Sequence, residues 1–403
     1  MPMTRRDFVA ATATLPLSTG AAGAAAPALP DTASFVTQDG VYLDSGTMHP
    51  VSKAVKQAVC DYLSKRTGDP AAKSFKLDED GVRAKFARLI NAEPDEIAFV
   101  QSTTAGEQLM LRALGLPAKG AHIVTDTLHF FGSFPLYEEM AKQGCDVTWL
   151  RPTDGRISVD AFEKAIRKDT KLVALSLVST FNGFEHDLKR ICEIAHARGA
   201  LVYADIVHAA GCVPVDVKSS GVDFAASASY KWLMGDFGLG FLYARKDRFP
   251  LLQRTQEGYY GMSAFTPHVY PLDPPGDTIA DYAFQDSAMG HFAFGTYSHM
   301  GVAALDVSLD YILKLGVERI QAHAQPLATR LKQELPHLGF KLITPLDTRT
   351  PMVTCIQENA AKTVGPKLQA ANIRITVSRN RFRASISVFN DMDDINRLLK
   401  ALA

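Results

Sequence analysis

Lys231 stands in Ala226-Ser227-Ala228-Ser229-Tyr230-Lys231-Trp232-Leu233, between small apolar residues and a Trp-Leu pair, with Gly235, Gly238 and Gly240 following. Lysine is ordinarily a solvated charge, and this setting has little place for one. A desolvated lysine has lower proton affinity and becomes an amine nucleophile toward an aldehyde. Ser229 and Tyr230, directly before it, add hydroxyl donors suited to phosphate oxygens.

A second group lies in Tyr203-Ala204-Asp205-Ile206-Val207-His208, where a carboxylate follows directly on an apolar run. Alone, Asp205 would serve equally as a helix cap. Paired with a lysine nucleophile it suggests more, because an aldehyde cofactor with a pyridine ring needs a carboxylate to keep its ring nitrogen protonated. That cofactor is pyridoxal 5′-phosphate. Lys231 would hold it as a Schiff base, and His208 would bond the ring hydroxyl or contact the substrate. Gln101-Ser102-Thr103-Thr104-Ala105-Gly106 supplies a third group, hydroxyls and amides at the start of the helical run Glu107-Gln108-Leu109-Met110-Leu111. A helix N-terminus of this kind is a ready phosphate site, though helix capping alone would explain it as well.

The elements that must position these groups are legible as an alternation of short apolar runs with amphipathic stretches, the pattern of parallel strands linked by helices. Strands are expected at 96–100, 122–125, 171–177, 201–204 and 240–244, each nearly continuously apolar, as strands buried on both faces should be. Leu188, Ile191, Cys192 and Ala195 fall on one helical stripe that Gly199 can end. The carboxyl ends of such strands are where open α/β sheets build sites, which is where Asp205 falls. The stretch 251–290, rich in Pro, Gly and Tyr, reads as a long irregular excursion whose Tyr259, Tyr260 and His268 would shape a pocket. Expected divisions are an export signal over 1–28, an N-terminal segment over 29–60 packed with the small domain, a large α/β domain over 61–295 and a smaller α+β domain over 296–403.

Composition agrees with an enzyme of small molecules. The 403 residues are 47% hydrophobic and 21% charged, as in an ordinary globular chain. The 43 basic residues balance 43 acidic ones, so no global field favours nucleic acid or an anionic membrane. Five scattered cysteines show no metal-like spacing and read as small buried hydrophobes. The first thirty residues differ in kind: Thr4-Arg5-Arg6-Asp7-Phe8 opens an Ala-rich, weakly apolar run, the pattern of a twin-arginine signal, too short and mildly apolar for a membrane anchor. It predicts a periplasmic or secreted protein that meets the twin-arginine export machinery after folding with its cofactor.

Taken in order, these motifs resemble the aminotransferase class V family, which includes isopenicillin N epimerases, cysteine desulfurases and kynureninases. Further matches are Ser179-Thr180-Phe181-Asn182-Gly183, Phe294-Gly295-Thr296, Arg383-Ala384-Ser385, Phe389-Asn390 and Asp393-Asp394. The resemblance spans nearly the whole chain beyond the signal. It implies the α/β fold of pyridoxal-phosphate-dependent transferases, like that of aspartate aminotransferase, and a homodimer. It also implies phosphate binding by Thr103 and Thr104, and a place for Asn182 near the ring hydroxyl or substrate. Thr296 would reach the partner subunit's phosphate, and Arg383 would clamp the carboxylate of an amino-acid-like substrate. In His129-Phe130-Phe131, Phe130 is the ring expected to cover the cofactor, with His129 the alternate.

The same resemblance separates the reactions. Desulfurases of the family carry a nucleophilic cysteine shortly before the carboxylate-binding arginine, and residues 370–383 contain none. A kynureninase-like reading draws on the tyrosine that precedes Lys231. The expectation is an isopenicillin N epimerase-like enzyme in which Lys231 removes the α-proton; reprotonation, elimination and transamination all stay open. The alternatives are C–C or C–S cleavage of the kynureninase or cysteine lyase/desulfurase type, and a non-catalytic binding protein on the same fold.

Overall fold

A computed structural model describes residues 27–35, 40–68 and 77–403. The expected export signal falls outside the described residues up to position 26. Along the chain run β1 (Val41–Tyr42), β2 (Ile97–Val100), β3 (His122–Asp126), β4 (Asp146–Leu150), β5 (Thr170–Ser176), β6 (Leu201–Asp205), β7 (Phe224–Ala228) and β8 (Gly240–Ala244). Seven of them form one sheet in the order β2-β8-β7-β6-β5-β3-β4. Strand β8 is antiparallel to both neighbours and every other pairing is parallel. All five expected strands are present. Two more, β4 and β7, were not expected. The latter reads Phe-Ala-Ala-Ser-Ala, a composition with little strand preference, and it extends because both neighbours supply backbone partners.

The four residues of the predicted stripe are the buried face of the helix Leu188–Ala197, capped by Asp187. It carries the chain from β5 to β6, which it enters at Leu201, and the register sets Ser176 beside Asp205 and Asp205 beside Ala226. Ser176 and Asp205 are thereby held side by side at the carboxyl ends of two interior strands by backbone pairing.

Beyond β8 the excursion holds a hairpin, β9 (Met262–Pro267) and β10 (Ala280–Phe284), largely exposed. His268 lies beside this hairpin, with its Nδ1 2.8 Å from the Pro274 carbonyl oxygen, a contact that closes the hairpin loop. The smaller sheet has the order β11 (Lys341–Leu342), β12 (Met352–Ile356), β15 (Arg381–Ser385), β14 (Thr376–Ser378), all antiparallel. Its core also takes Val41 and Leu43, because β1 pairs in parallel with β13 (Ile373–Arg374) and Asp44 bridges to Ser385.

The division of the core differs from the expected boundary at 296. Helix His299–Leu315 buries Val302, Leu305, Leu309 and Ile312 in the core of the large sheet, as do Val317 and Ile320 at the start of helix Val317–His337. The second core begins at Ala324 in the same helix. One long helix therefore joins both cores, and the N-terminal segment is shared, with Phe35 in the first and Val41 in the second. Among the described residues no helix is long and apolar enough to cross a membrane, and no cluster of metal-ligating side chains occurs.

Candidate active site

Lys231 follows the end of β7 by three residues and is buried, 8% exposed. The next residue, Trp232, packs its carbonyl against Gly211, whose φ of +98° only glycine adopts without strain and where an added Cβ would meet the Trp232 carbonyl oxygen at 2.3 Å. The Lys231 Nζ lies 3.1 Å from His208 Nε2. The Trp232 indole can only donate, at 3.4 Å, to His208 Nδ1. The ring proton of His208 then sits on Nε2 and faces the Lys231 amine, whose lone pair accepts it once the amine is deprotonated. Electrostatics act the same way. Burial lowers the Lys231 amine to about 8, the Asp205 carboxylate opposes that, and the Arg383 guanidinium adds to it. His208 is pushed well below its ordinary value by burial and by the charges of Lys231 and Arg383.

Asp205 ends β6 and is 3% exposed. One carboxylate oxygen accepts the Val207 N–H at 2.9 Å, and the other faces the Ser176 hydroxyl at 3.5 Å. A buried carboxylate has more acceptor capacity than these two bonds use. Burial raises its pKa, partly offset by His129, the Val207 N–H and Lys231.

Arg383, on β15 of the small sheet, reaches the same region. It is 5% exposed, and one terminal nitrogen donates to both the carbonyl and the hydroxyl of Thr180, at 2.9 and 2.8 Å. The other donates to the hydroxyls of Thr47 and Thr376, at 3.0 and 3.1 Å, while its Nε has no partner. Among the described residues no carboxylate forms an ion pair with it; Asp44 is bonded to the Thr376 hydroxyl instead. Burial lowers Arg383 to about 10, so it remains a cation at neutral pH. A buried guanidinium held by neutral oxygens is suited to a carboxylate that arrives with a ligand.

Of the other expected residues, Thr103 begins the helix Thr103–Ala113, and its hydroxyl accepts the Ala228 N–H at 2.9 Å, which ties the helix N-terminus to the end of β7. Thr104 lines an adjoining cavity of about 350 Å³ with Gln101, Gln108, Arg112 and Phe294. Ser102 is the helix cap. Phe130 lies with its ring centroid 6.0 Å from Lys231 Nζ, and Tyr230 stacks on Phe237 at 4.3 Å with its own centroid 5.7 Å from that nitrogen. Between the two alternates for the covering ring, Phe130 is the one beside Lys231. His129 is wholly buried in a polar chain with Ser176 and Glu107.

Two expectations differ in placement, Ser229 and Asn182. The Ser229 hydroxyl donates to the carbonyls of Asp236 and Leu239 and shapes the loop after Lys231, so it does not offer its proton to a phosphate. The Asn182 amide donates to the carbonyls of Gly155 and Ile343 while its oxygen accepts the Phe184 N–H, so it serves the loop–domain contact and not the Lys231 cluster. Thr296 is exposed and bonded to the Tyr259 hydroxyl at 2.7 Å. Sequence reasoning missed Thr47, Thr180 and Thr376 around Arg383, and Glu107 and Ser176 behind Asp205. Only Thr180 stood within a recognised motif.

The cluster fits pyridoxal 5′-phosphate: a buried amine of lowered proton affinity, a buried carboxylate with spare acceptor capacity, an aromatic ring beside the amine and a helix N-terminus bearing threonines.

Known proteins agree with this reading. A model of the family described as aminotransferase class-V matches residues 41–398. A probable cysteine desulfurase of Methanothermobacter thermautotrophicus is 29% identical over 309 residues, 73% of this chain and 72% of that protein. The uncharacterized aminotransferase YcbU of Bacillus subtilis is 26% identical over 359 residues, 89% of this chain and 91% of that protein. Among solved structures, the apo cysteine desulfurase from Thermococcus onnurineus NA1 superimposes with a TM-score of 0.80 at 24% identity, covering 93% of this chain and 98% of that one. The cystine C-S lyase C-DES, in complex with cysteine persulfide, gives 0.79 at 17% identity, over 90% and 97%. The fold is the aminotransferase-like α/β fold expected from the sequence.

Proposed function

Because this chain belongs to the aminotransferase class-V family, we infer that it is a pyridoxal-5′-phosphate enzyme in which Lys231 holds the cofactor and moves a proton at the α-carbon of an amino acid bound through Arg383. One observation carries the substrate half of this reading. The Arg383 guanidinium is buried without a carboxylate partner, yet close enough to Lys231 and His208 for its charge to lower both. A carboxylate docked on Arg383 brings its attached α-carbon toward the Lys231 amine.

When bound, pyridoxal phosphate supplies an aldehyde for the lysine and a ring that withdraws electrons from the bonds at the substrate α-carbon. The chain supplies the rest. Asp205 accepts the proton-bearing ring nitrogen, the helix N-terminus at Thr103 and Thr104 binds phosphate, and Phe130 keeps water from the ring. His208 orients the Lys231 amine, which takes the α-proton and can return it.

The names of the relatives favour C–S bond cleavage as a second reading. Sulfur transfer to a protein thiol finds little support in this chain. Cys355 lies on β12, one strand from Arg383, but is fully buried with its thiol pushed up to about 12 by burial. Cys145, Cys192 and Cys212 are also buried, and Cys60 is exposed on helix Lys53–Gly68. Sulfur released here would leave as a small molecule. Epimerisation and transamination share the same first proton transfer.

The test is solvent exchange. With pyridoxal phosphate in D₂O, amino acids including cysteine and alanine are expected to exchange their α-proton, followed by proton NMR on fractions resolved by size. Exchange should run with a dimer if Thr296 completes the partner's site. No exchange with any amino acid would overturn the reading, and full exchange by a monomer would remove Thr296 from it.

Export belongs to the same proposal and rests on Arg5 and Arg6 before the Ala-rich run. Cell fractionation should find the wild-type protein outside the cytoplasm and the Arg5→Lys/Arg6→Lys variant inside. Equal partition of the two would end the export reading.

A further inference from the structure

Behind Asp205 lies a buried polar chain that the proposed reaction does not use. Glu107, on the helix Thr103–Ala113, is 1% exposed, and His129 is fully buried. The glutamate accepts three bonds: from His129 Nε2 at 3.0 Å, the Tyr137 hydroxyl at 2.7 Å and the Ser133 hydroxyl at 2.6 Å. The other imidazole nitrogen, Nδ1, lies 2.8 Å from the Ser176 hydroxyl oxygen, which also accepts the Phe130 N–H at 3.2 Å.

The directions of these bonds decide what the chain does. With His129 protonated on both nitrogens, Nδ1–H and the Phe130 N–H fill both lone pairs of the Ser176 oxygen. Its own proton can then go only to Asp205, 3.5 Å away. With His129 neutral and Nε2–H held by Glu107, Nδ1 becomes an acceptor, Ser176 turns its proton back to it, and Asp205 loses a donor. The charge of Glu107 therefore selects whether Ser176 serves the Asp205 carboxylate or the His129 imidazole.

We propose that Glu107, His129 and Ser176 form a positioning relay that keeps the Asp205 carboxylate ionised and ready to accept the cofactor's ring nitrogen. This rests on the reading that Asp205 faces that nitrogen. Every element packed around His129 contributes to its titration. Glu107, Asp205 and Asp126, at the end of β3, face it as carboxylates; Tyr137 and Tyr203 face it as neutral phenols, their ionisation opposed by burial and by those same acids. His186 stands beyond Asp126 at 3.4 Å. Burial alone would lower His129 and raise Glu107. Their mutual attraction, together with the Asp205 and Asp126 charges on the imidazole and the Ser133 and Tyr137 hydrogen bonds on the carboxylate, outweighs it, leaving the imidazole above and the carboxyl below their ordinary values. Burial raises Asp205 and the Glu107 charge adds to that rise, while the His129 charge is the first of the groups opposing it, so Glu107 favours the ionised carboxylate only through His129 and Ser176.

Two readouts test the relay. In the apo protein, ¹⁵N-histidine NMR should find both ring nitrogens of His129 protonated at pH 7.5, and the Glu107→Gln variant should make the ring neutral. In the holoprotein, the pH midpoint of the visible absorbance of the lysine-linked cofactor should move upward by about half to one unit in Glu107→Gln and in Ser176→Ala, because a less protonated ring withdraws fewer electrons from the linkage. In an Asp205→Asn background the same substitutions should add nothing, since they act through Asp205. A neutral His129 in the wild-type apo protein overturns the relay, as do midpoints that stay in place while only the melting temperature falls. Should Glu107→Gln not fold, Ser176→Ala decides, since it breaks the link without disturbing the buried pair. A protein that forms no Lys231-dependent absorbance overturns the cofactor reading instead, and the His129 resonances still report whether the pair is charged.

Discussion

Lys231→Met abolishes the visible absorbance of bound cofactor, lowers turnover by about 10⁴-fold or more, and makes the apo protein more stable below pH 8. The first two effects follow from the proposed roles of Lys231 in holding the cofactor and carrying the α-proton. The third follows from where the amine sits. Its folded pKa, about 8, lies below the free value of 10.5. The unfolded chain therefore binds more protons between those values, and stability rises with pH across that window. Below about pH 8 both states are protonated and the whole cost of burying the ammonium is present, about 3 kcal/mol for a shift of that size. Methionine removes that cost; the His208 Nε2–H loses an acceptor only where the amine is neutral, above about pH 8, and there the loss costs about 1 kcal/mol. A net gain of about 3 kcal/mol is expected from urea unfolding at pH 7, shrinking through zero before pH 10.5, where only the lost hydrogen bond remains. Loss of stability at pH 7 together with an unchanged spectrum would show that Lys231 is a structural residue.

Arg383→Gln raises KM for α-amino acids by about 10²- to 10³-fold, the effect of removing one partner of a buried charge pair, and leaves amines without a carboxylate unaffected. Arg383→Lys recovers little of this. The guanidinium is aimed by four bonds to Thr180, Thr47 and Thr376, and a single ammonium cannot reproduce that fork. The same Arg383→Gln change should raise the Lys231 amine in the apo protein, because the guanidinium is one of the charges that lower it. Steady-state kinetics on an amino acid and its decarboxylated amine separate the outcomes. An equal loss with both substrates would mean that Arg383 organises the site without binding carboxylate.

How far these roles were legible in the sequence differs by residue. Lys231 and Asp205 were, because a charge set in an apolar run is anomalous locally, and the anomaly survives without a structure. Arg383 stood out only through family resemblance; nothing in Arg-Ala-Ser reveals a guanidinium without a carboxylate. Ser229 and Asn182 illustrate the opposite case. Both have the right chemistry near the right motif, yet their hydrogen bonds belong to the backbone of the loops that carry them. Glu107 was invisible for a similar reason. A glutamate in a helix is normally solvated, and only packing against Tyr137, Ser133 and His129 makes this one a buried acceptor.

The sequence by itself determined the alternating α/β pattern, the five apolar strands that carry the sheet, the helix between β5 and β6, and the position of Asp205 at a strand end. These depend on periodicity and on residues close in the chain, which local physics constrains. Only the tertiary structure decided that Arg383 of the small sheet stands within Coulomb reach of Lys231 in the large domain, that Thr47 and Thr180 aim it from two other segments, and that Glu107 meets His129 behind Asp205. Those contacts join positions 22 to 336 residues apart. Hydrogen-bond direction and desolvation at such sites are set by whatever the fold brings alongside, and no local pattern encodes it.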